Sequence, residues 1–521
     1  MSKNKWLSTT LALSIGLGGT FTYATYAGAE QAASTEVQAA ATITSATTGV
    51  NAQAIFQVTA DVTAQQKLIA DFTEIKELFS ASTPDLAKVK AFYQKQFQPA
   101  IQARSTQIDE EISFLLDAGI QGKTSVGQVK QAIDKGLQWF FYDEINHIVR
   151  MEAGAALEAG DKTKAKEELD KAIALFEGTL YVTAGKRDQD YGTLTQDFFA
   201  KVVVPGLQNA VKQGNVTDFH VYRQYLQKTM MKVYVLATAK YAGKVQADHA
   251  EGKTEDEKAH LAEGYFFFMP IHNYFAGGSK EAADYVKNAF ASGDGAKMNA
   301  EEVEKMLARA IIAKVNEYAS AAINKDLASG DLDKAKIHAA EGNAFLSQIE
   351  IIVKERLGAD AWTSLEAEAT QYNQAITANN LEKARTHAFQ ILKTLSTISG
   401  VSFGIGGNTI QIQGETSTST EATSYLDTKT NRTMASARFV SEALGAVVTP
   451  NQQKITVQKG EKTVEFTIGS QEVYINGKKA ETTLDQAAVI KSGRTYIPLR
   501  AAAELLDSKV FYYNGEVIMN Y

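Results

Sequence analysis

Across residues 61–399, apolar residues recur at the three- and four-residue spacing of a helix that buries one face. Short polar breaks separate the runs: Gly160-Asp161, Gly214-Asn215, Gly330-Asp331 and Asn379-Asn380. At each break a Gly or Asn closes one run and an Asp or Asn is placed to cap the next. Only four prolines fall in this span, Pro84, Pro99, Pro205 and Pro270. The pattern predicts antiparallel helices joined by tight turns, packed as a bundle. Past Ser399 a Gly-rich segment, 404–407, ends the helical periodicity and the period becomes two. Residues 409–413, 455–457 and 464–468 read as half-buried strands. Asn476-Gly477 and Asn514-Gly515 sit between β-branched and aromatic residues, which is hairpin chemistry. The Ser/Thr-rich stretch 414–424 reads as a loop.

Both regions repeat internally. In the tail, Arg432-Thr433, Arg438, Glu442, Leu444 and Val448 recur as Arg494-Thr495, Arg500, Glu504, Leu506 and Val510, at a constant offset of 62. One strand–helix–strand unit has been duplicated. The helix-start arginines, with a Glu four residues on, predict buried ion pairs pinning helix to sheet. In the body, the stretch around Gly160 is echoed around Gly330, and the stretch around Gly214 around Asn379. A helical-hairpin duplication accounts for both echoes; the period of about 34 residues of tetratricopeptide arrays is absent.

The tail's second copy, G-R-T-Y-I-P-L-R followed by A-E-L-L, resembles the copper amine oxidase N-terminal-like (stalk) domain of exported Gram-positive proteins. The first copy departs from that form at Ser436, where the second has Pro498. The resemblance covers about 400–521 and implies a non-catalytic spacer without copper or quinone. No histidine follows His387, so the tail has no imidazole for copper. Both copies lie within 400–521, which predicts that this span folds independently.

The first 29 residues carry Lys3 and Lys5, an apolar run from Trp6 and a small-x-small Ala27-Gly28-Ala29 site. These are the parts of a secretory signal peptide, with the mature chain starting near Glu30. Residues 30–59, rich in Ala, Thr, Ser and Gln, read as a flexible spacer. The absence of cysteine leaves a chain of 521 residues to be held by core burial. The net charge is −7, and loss of the leader removes two lysines and no acid, which argues against nucleic acid as a partner. No later segment is long and apolar enough to span a membrane, so the mature chain is expected to be secreted or attached to cell-wall or envelope components. The expected fold class is mainly α: an exported helical bundle at 60–399 with an internal repeat, then a small α+β stalk domain at 400–521.

One constellation suggests chemistry. His260, Glu263 and Gly264 form an H-x-x-E-G motif that returns 78 residues later as His338, Glu341 and Gly342. A His and a Glu three apart share a helix face, and two such helices facing each other would offer two imidazoles and two carboxylates. Each Gly would let a neighbouring helix or a ligand approach. Glu144 and His147, with Glu152 beyond, form a third candidate. Nitrogen and oxygen ligands without thiolate suit iron, manganese or zinc. The competing reading is a duplicated packing motif. The H-x-x-E-G helices resemble the algal iron-assimilation (low-iron-inducible periplasmic) proteins, which implies iron binding at His260, Glu263, His338 and Glu341. No nucleophile elbow, phosphate-binding glycine loop or H-E-x-x-H motif is present, so no catalytic residue or organic cofactor is expected. The expected function is an extracytoplasmic, envelope-associated protein binding iron or another metal; the alternative is a structural or adhesive envelope protein with no small ligand.

Overall fold

Each predicted polar break becomes a helix stop followed by a capped start. A computed structural model describes residues 55–418, 424–451 and 453–520. The leader at 1–29 and most of the spacer lie outside the described residues. Among the helices of the body are α1 (Val126–His147), α2 (Lys162–Thr179), α3 (Val216–Glu251), α4 (Thr254–Gly278), α5 (Ala300–Ser320), α6 (Leu332–Leu346), α7 (Ala359–Thr377) and α8 (Leu381–Ser396). Asp161, Asn215, Asp331 and Asn380 accept backbone N–H groups at 2.9, 3.0, 3.1 and 3.1 Å, each contact worth about 1 kcal/mol. Gly330 before α6 has φ +81° and Asn379 before α8 has φ +52°, the left-handed closure these residue types permit. Pro270 lies inside α4, buried among its core residues. Helix α3 runs through the bundle and packs against both α4 and α6. It buries residues around most of its circumference, as a central helix must.

The sequence pattern did not disclose the π-helical turns at Ile148–Ala153, Phe199–Val203 and Ala321–Leu327. The third has a visible cause. Tyr241 and Tyr318 are 77 residues apart, whereas Asp248 and Asp326, and Gly252 and Gly330, are 78 apart. The second hairpin carries one extra residue between its Tyr and its Asp, and the π turn lies between them and absorbs it.

The tail contains three antiparallel sheets. One has the order β13-β14-β1-β2-β3, a second β10-β9-β8-β7-β6, and the third β11-β12-β5-β4. Their strands are β1 (Val401–Gly404), β2 (Thr409–Ile412), β3 (Glu415–Thr418), β4 (Ser424–Asp427), β5 (Arg432–Ser436), β6 (Val447–Asn451), β7 (Lys454–Lys459), β8 (Lys462–Thr467), β9 (Val473–Ile475), β10 (Lys478–Lys479), β11 (Val489–Lys491), β12 (Arg494–Pro498), β13 (Lys509–Tyr513) and β14 (Glu516–Asn520). Helices α9 (Ala437–Leu444) and α10 (Leu499–Leu505) follow β5 and β12. The two Arg-Thr strands pair with each other, Ile497 opposite Ala435. The copies then exchange edges. Strands β8 to β10, which open the second copy, extend β7 of the first; β1 to β3 of the first extend β14 of the second. The pairs Val464–Val457 and Phe466–Ile455 in one sheet match Val401–Met519 and Phe403–Val517 in the other.

Two expectations are corrected. Part of the expected loop 414–424 is strand: Glu415–Thr418 is exposed on both faces, so no apolar alternation marks it. The helix-start arginines are not buried; Arg438 and Arg500 are exposed, because Phe439, Val440, Leu499 and Ala502 take the core-facing positions. No Arg500–Glu504 ion pair forms among the described residues, and the side chain of Glu442 lies outside them. The tail has a core of its own, which includes Phe403, Phe439, Phe466 and Leu499, and it also docks on the body. Phe511 and Ile518 belong to the helical core, while Tyr513 packs against it and its ring meets Phe389 at 5.5 Å. Fully buried Asn520 accepts from Asn316 Nδ2 at 2.8 Å and donates to the Ser399 carbonyl at 2.9 Å. At the same offset of 62, Phe511, Tyr513 and Ile518 correspond to Thr449, Asn451 and Thr456 of the first copy. One copy therefore carries an apolar outer face that docks on the body, and the other carries a polar one.

Candidate functional site

The two H-x-x-E-G motifs lie on α4 and α6, on either side of α3, and each is closed on its own neighbours. In the first, His260 Nδ1 lies 2.6 Å from Asp248 Oδ2 at the end of α3. Tyr241, two turns earlier on α3, stacks on Phe267 at 5.7 Å and lies 5.5 Å from the His260 ring. Glu263 lies 3.3 Å from the ammonium of Lys135 on α1. In the second, His338 Nδ1 lies 2.5 Å from Asp326 Oδ2. Tyr318 stacks on Phe345 at 5.7 Å and lies 5.9 Å from the His338 ring. Glu341 lies 2.6 Å from the ammonium of Lys228 on α3. Burial, and then Glu263 and Glu341 hydrogen-bonded to the phenols, push the Tyr241 and Tyr318 hydroxyls well above the usual tyrosine range.

The two networks are the same construction. A Tyr and an Asp from one helix of a hairpin grip the His of the next. A Phe one turn beyond the Glu stacks on that Tyr, and a Lys from a third helix neutralises the Glu. The lysines differ in balance. Lys135 faces both Asp134, at 2.7 Å, and Glu263. These two carboxylates overcome the desolvation that burial imposes, and its pKa is raised. Lys228 has one carboxylate and the positive charges of Arg223 and Lys314 nearby, so desolvation wins and its pKa falls to about 8. Its ammonium also donates to Gln224 at 2.9 Å and Gln227 at 2.7 Å, which satisfies its remaining protons.

His260, Glu263, His338 and Glu341 are therefore not brought to one point, and the expected convergence is corrected. Among the described residues no group of three or more His, Cys, Asp or Glu is placed to hold a metal ion. The third candidate is separate as well. Glu144 accepts from Arg104 Nε at 2.7 Å. His147 lies 3.3 Å from Glu152. Burial and the Glu168 carboxyl beside it raise the pKa of Glu152. The physical reason is general to this chain: each of its seven histidines has a carboxylate within 3.3 Å, through Glu152, Glu158, Glu257, Asp248, Asp284, Asp326 and Glu368. Six of these pairs lock imidazoles between helical segments; His147 and Glu152 lie along one continuous helix.

The glycines after each Glu serve packing. A Cβ on Gly264 would lie 2.0 Å from Phe290 Cε1; one on Gly342 would lie 3.3 Å from Tyr318 Cβ. The sequence reading missed Tyr241, Tyr318, Asp248, Asp326, Lys135 and Lys228. The aspartates were legible, since they recur at the offset of the histidines, and the tyrosines nearly so, one residue short of it; the lysines come from helices whose neighbours only packing reveals. No helix of the described residues is long and apolar enough to cross a membrane. No curated protein and no solved structure matches the chain. The tail with its exchanged sheets, residues 401–519, matches the family model of the copper amine oxidase N-terminal domain, a match that includes no catalytic domain.

Proposed function

We propose that this protein is a non-catalytic structural component of the extracytoplasmic cell envelope, with no small-molecule or metal cofactor. The observation that supports this reading is the double use of one clamp. Both H-x-x-E-G motifs are fully engaged by Tyr, Asp, Lys and Phe partners that fasten neighbouring helices. A duplicated fastening serves a rigid body, and the tail, docked through Phe511 and Ile518, extends that rigidity to the C-terminal module. The envelope location follows from the leader-like start and the stalk-type tail. Iron or another metal at either motif would have to displace an ammonium from Glu263 or Glu341 and an Asp from the histidine, which places the metal reading second. Elemental analysis of the purified mature protein separates the two: the structural reading expects substoichiometric metal and a melting temperature unmoved by chelator. Stoichiometric iron, manganese or zinc that disappears in His260→Ala or His338→Ala would overturn it. Fractionation of producing cells should place the chain outside the cytoplasmic membrane.

A further inference from the structure

The chain contains two Asn-Gly pairs, and both close two-residue turns: Asn476-Gly477 between paired Ile475 and Lys478, and Asn514-Gly515 between paired Tyr513 and Glu516. Their backbones are alike. The φ values are +49° and +76° in the first pair and +47° and +78° in the second, the left-handed conformation that Asn and Gly tolerate. Both asparagines are exposed, and nothing lies within 4 Å of where a Cβ on either glycine would stand.

The asparagine side chains differ. Asn476 Oδ1 accepts from the Thr463 N–H at 2.8 Å and from Thr463 Oγ1 at 3.2 Å, which holds its carboxamide against β8. The Asn514 carboxamide forms no hydrogen bond among the described residues. The Gly515 carbonyl accepts from the Ile405 N–H at 2.8 Å, whereas the Gly515 nitrogen donates to no backbone acceptor. The flanks of this second turn also fasten the tail to α8. Tyr513 Oη lies 2.7 Å from Thr386 Oγ1, its ring meets Phe389 at 5.5 Å, and Glu516 accepts from Lys393 Nζ at 2.8 Å.

An asparagine followed by glycine can react with its own backbone. The glycine nitrogen gives up its proton and bonds to the asparagine Cγ. The Cγ–Nδ2 bond breaks, and the amide nitrogen leaves as ammonia with that proton, closing a succinimide ring. Water then opens the ring at either carbonyl, giving aspartate or an isoaspartyl linkage. Water is the only co-reactant, and glycine favours the step because no side chain shields its nitrogen. Ring closure requires the turn to leave its left-handed conformation and the carboxamide to swing toward that nitrogen. The two turns share the backbone requirement, but only Asn476 must also surrender two hydrogen bonds. An isoaspartyl linkage lengthens the main chain between Tyr513 and Glu516 and breaks the turn's register, and either product places a new carboxylate near Glu516.

We propose that Asn514-Gly515 is a site of spontaneous deamidation that loosens the docking of the tail on the body as the protein ages. The site is separate from the clamps and does not rest on the structural reading of the protein. The test is incubation of the full mature chain in mildly alkaline buffer with peptide mapping by mass spectrometry, against the same chain unfolded in urea. The expected result in the folded protein is conversion of Asn514 to both aspartyl and isoaspartyl products. Asn476 should be slower by about tenfold or more, held back by roughly one net hydrogen bond. In urea the two sites should convert at similar rates. Hydrogen exchange should be faster in the β13–β14 hairpin of the converted protein and in the stretch of α8 that faces it. Asn514→Gln, whose longer side chain closes a ring far less readily, should keep its amide and its native exchange. Asn514 that stays intact while the unfolded chain converts, or Asn476 that converts as fast as Asn514 in the folded protein, overturns the site. Converted protein whose hairpin exchanges no faster than that of Asn514→Gln overturns the effect on docking.

Discussion

Replacing Lys228 by Met tests whether the clamp is energetically real. Lys228 is 2% exposed and Glu341 6%, with 2.6 Å between their charged atoms. The substitution keeps most of the side-chain volume and removes the charge. Glu341 would remain buried with the Tyr318 hydroxyl and the charge of Arg223 to oppose its desolvation. Breaking a buried pair from one side costs about 3–5 kcal/mol. Substituting both residues, Lys228→Met with Glu341→Gln, removes the stranded charge and should recover stability to within about 1–2 kcal/mol of wild type. The pH dependence gives a second readout. The pKa of Lys228 falls from 10.5 to about 8 on folding, so between these values the unfolded chain binds more protons. Wild-type stability should therefore gain up to about 3 kcal/mol from this group as pH rises from 8 to 10.5, and Lys228→Met should lack that gain. Urea unfolding followed by circular dichroism at several pH values measures both effects. A single-substitution cost below about 1 kcal/mol, or a double variant less stable than the single one, would refute the argument.

Three further outcomes are expected. Gly264→Ala should lose roughly 1–3 kcal/mol by driving a methyl into Phe290, while Gly342→Ala should be tolerated because the nearest atom is at 3.3 Å and alanine gains helix propensity; thermal melts of the two variants give the contrast. Burial raises the Asp143 carboxyl to about 7, so the folded state binds the extra proton between pH 3.8 and 7 and stability should fall as pH rises through that window. Asp143→Asn should flatten this slope and be more stable than wild type at pH 8, by about 2 kcal/mol, in urea titrations. A chain ended at Gly460 should fail to fold its tail, since β1 would lose β14 and β7 would lose β8; amide exchange that finds β1 and β7 still protected would contradict the exchanged-edge topology.

Much of this protein was determined locally. Helix stops and starts at Gly160-Asp161, Gly214-Asn215, Gly330-Asp331 and Asn379-Asn380 follow from left-handed closure and side-chain capping, which need only the residues at the turn. The strand–helix–strand duplication was legible because equivalent residues keep one offset. What the sequence could not decide depends on which distant surfaces meet. His260 and Glu263 share a helix face, a pattern compatible with a metal site or with a clamp. The choice was made by Lys135 and Asp248 arriving from other helices to satisfy charges that would otherwise be buried alone. The exchange of sheet edges between the tail copies is likewise a pairing of remote strands, and each strand's alternation suits either partner. The docking of the tail turned on Phe511 and Ile518. An alternating strand shows that they share a face, but only the tertiary structure reveals that α5 and α8 cover it.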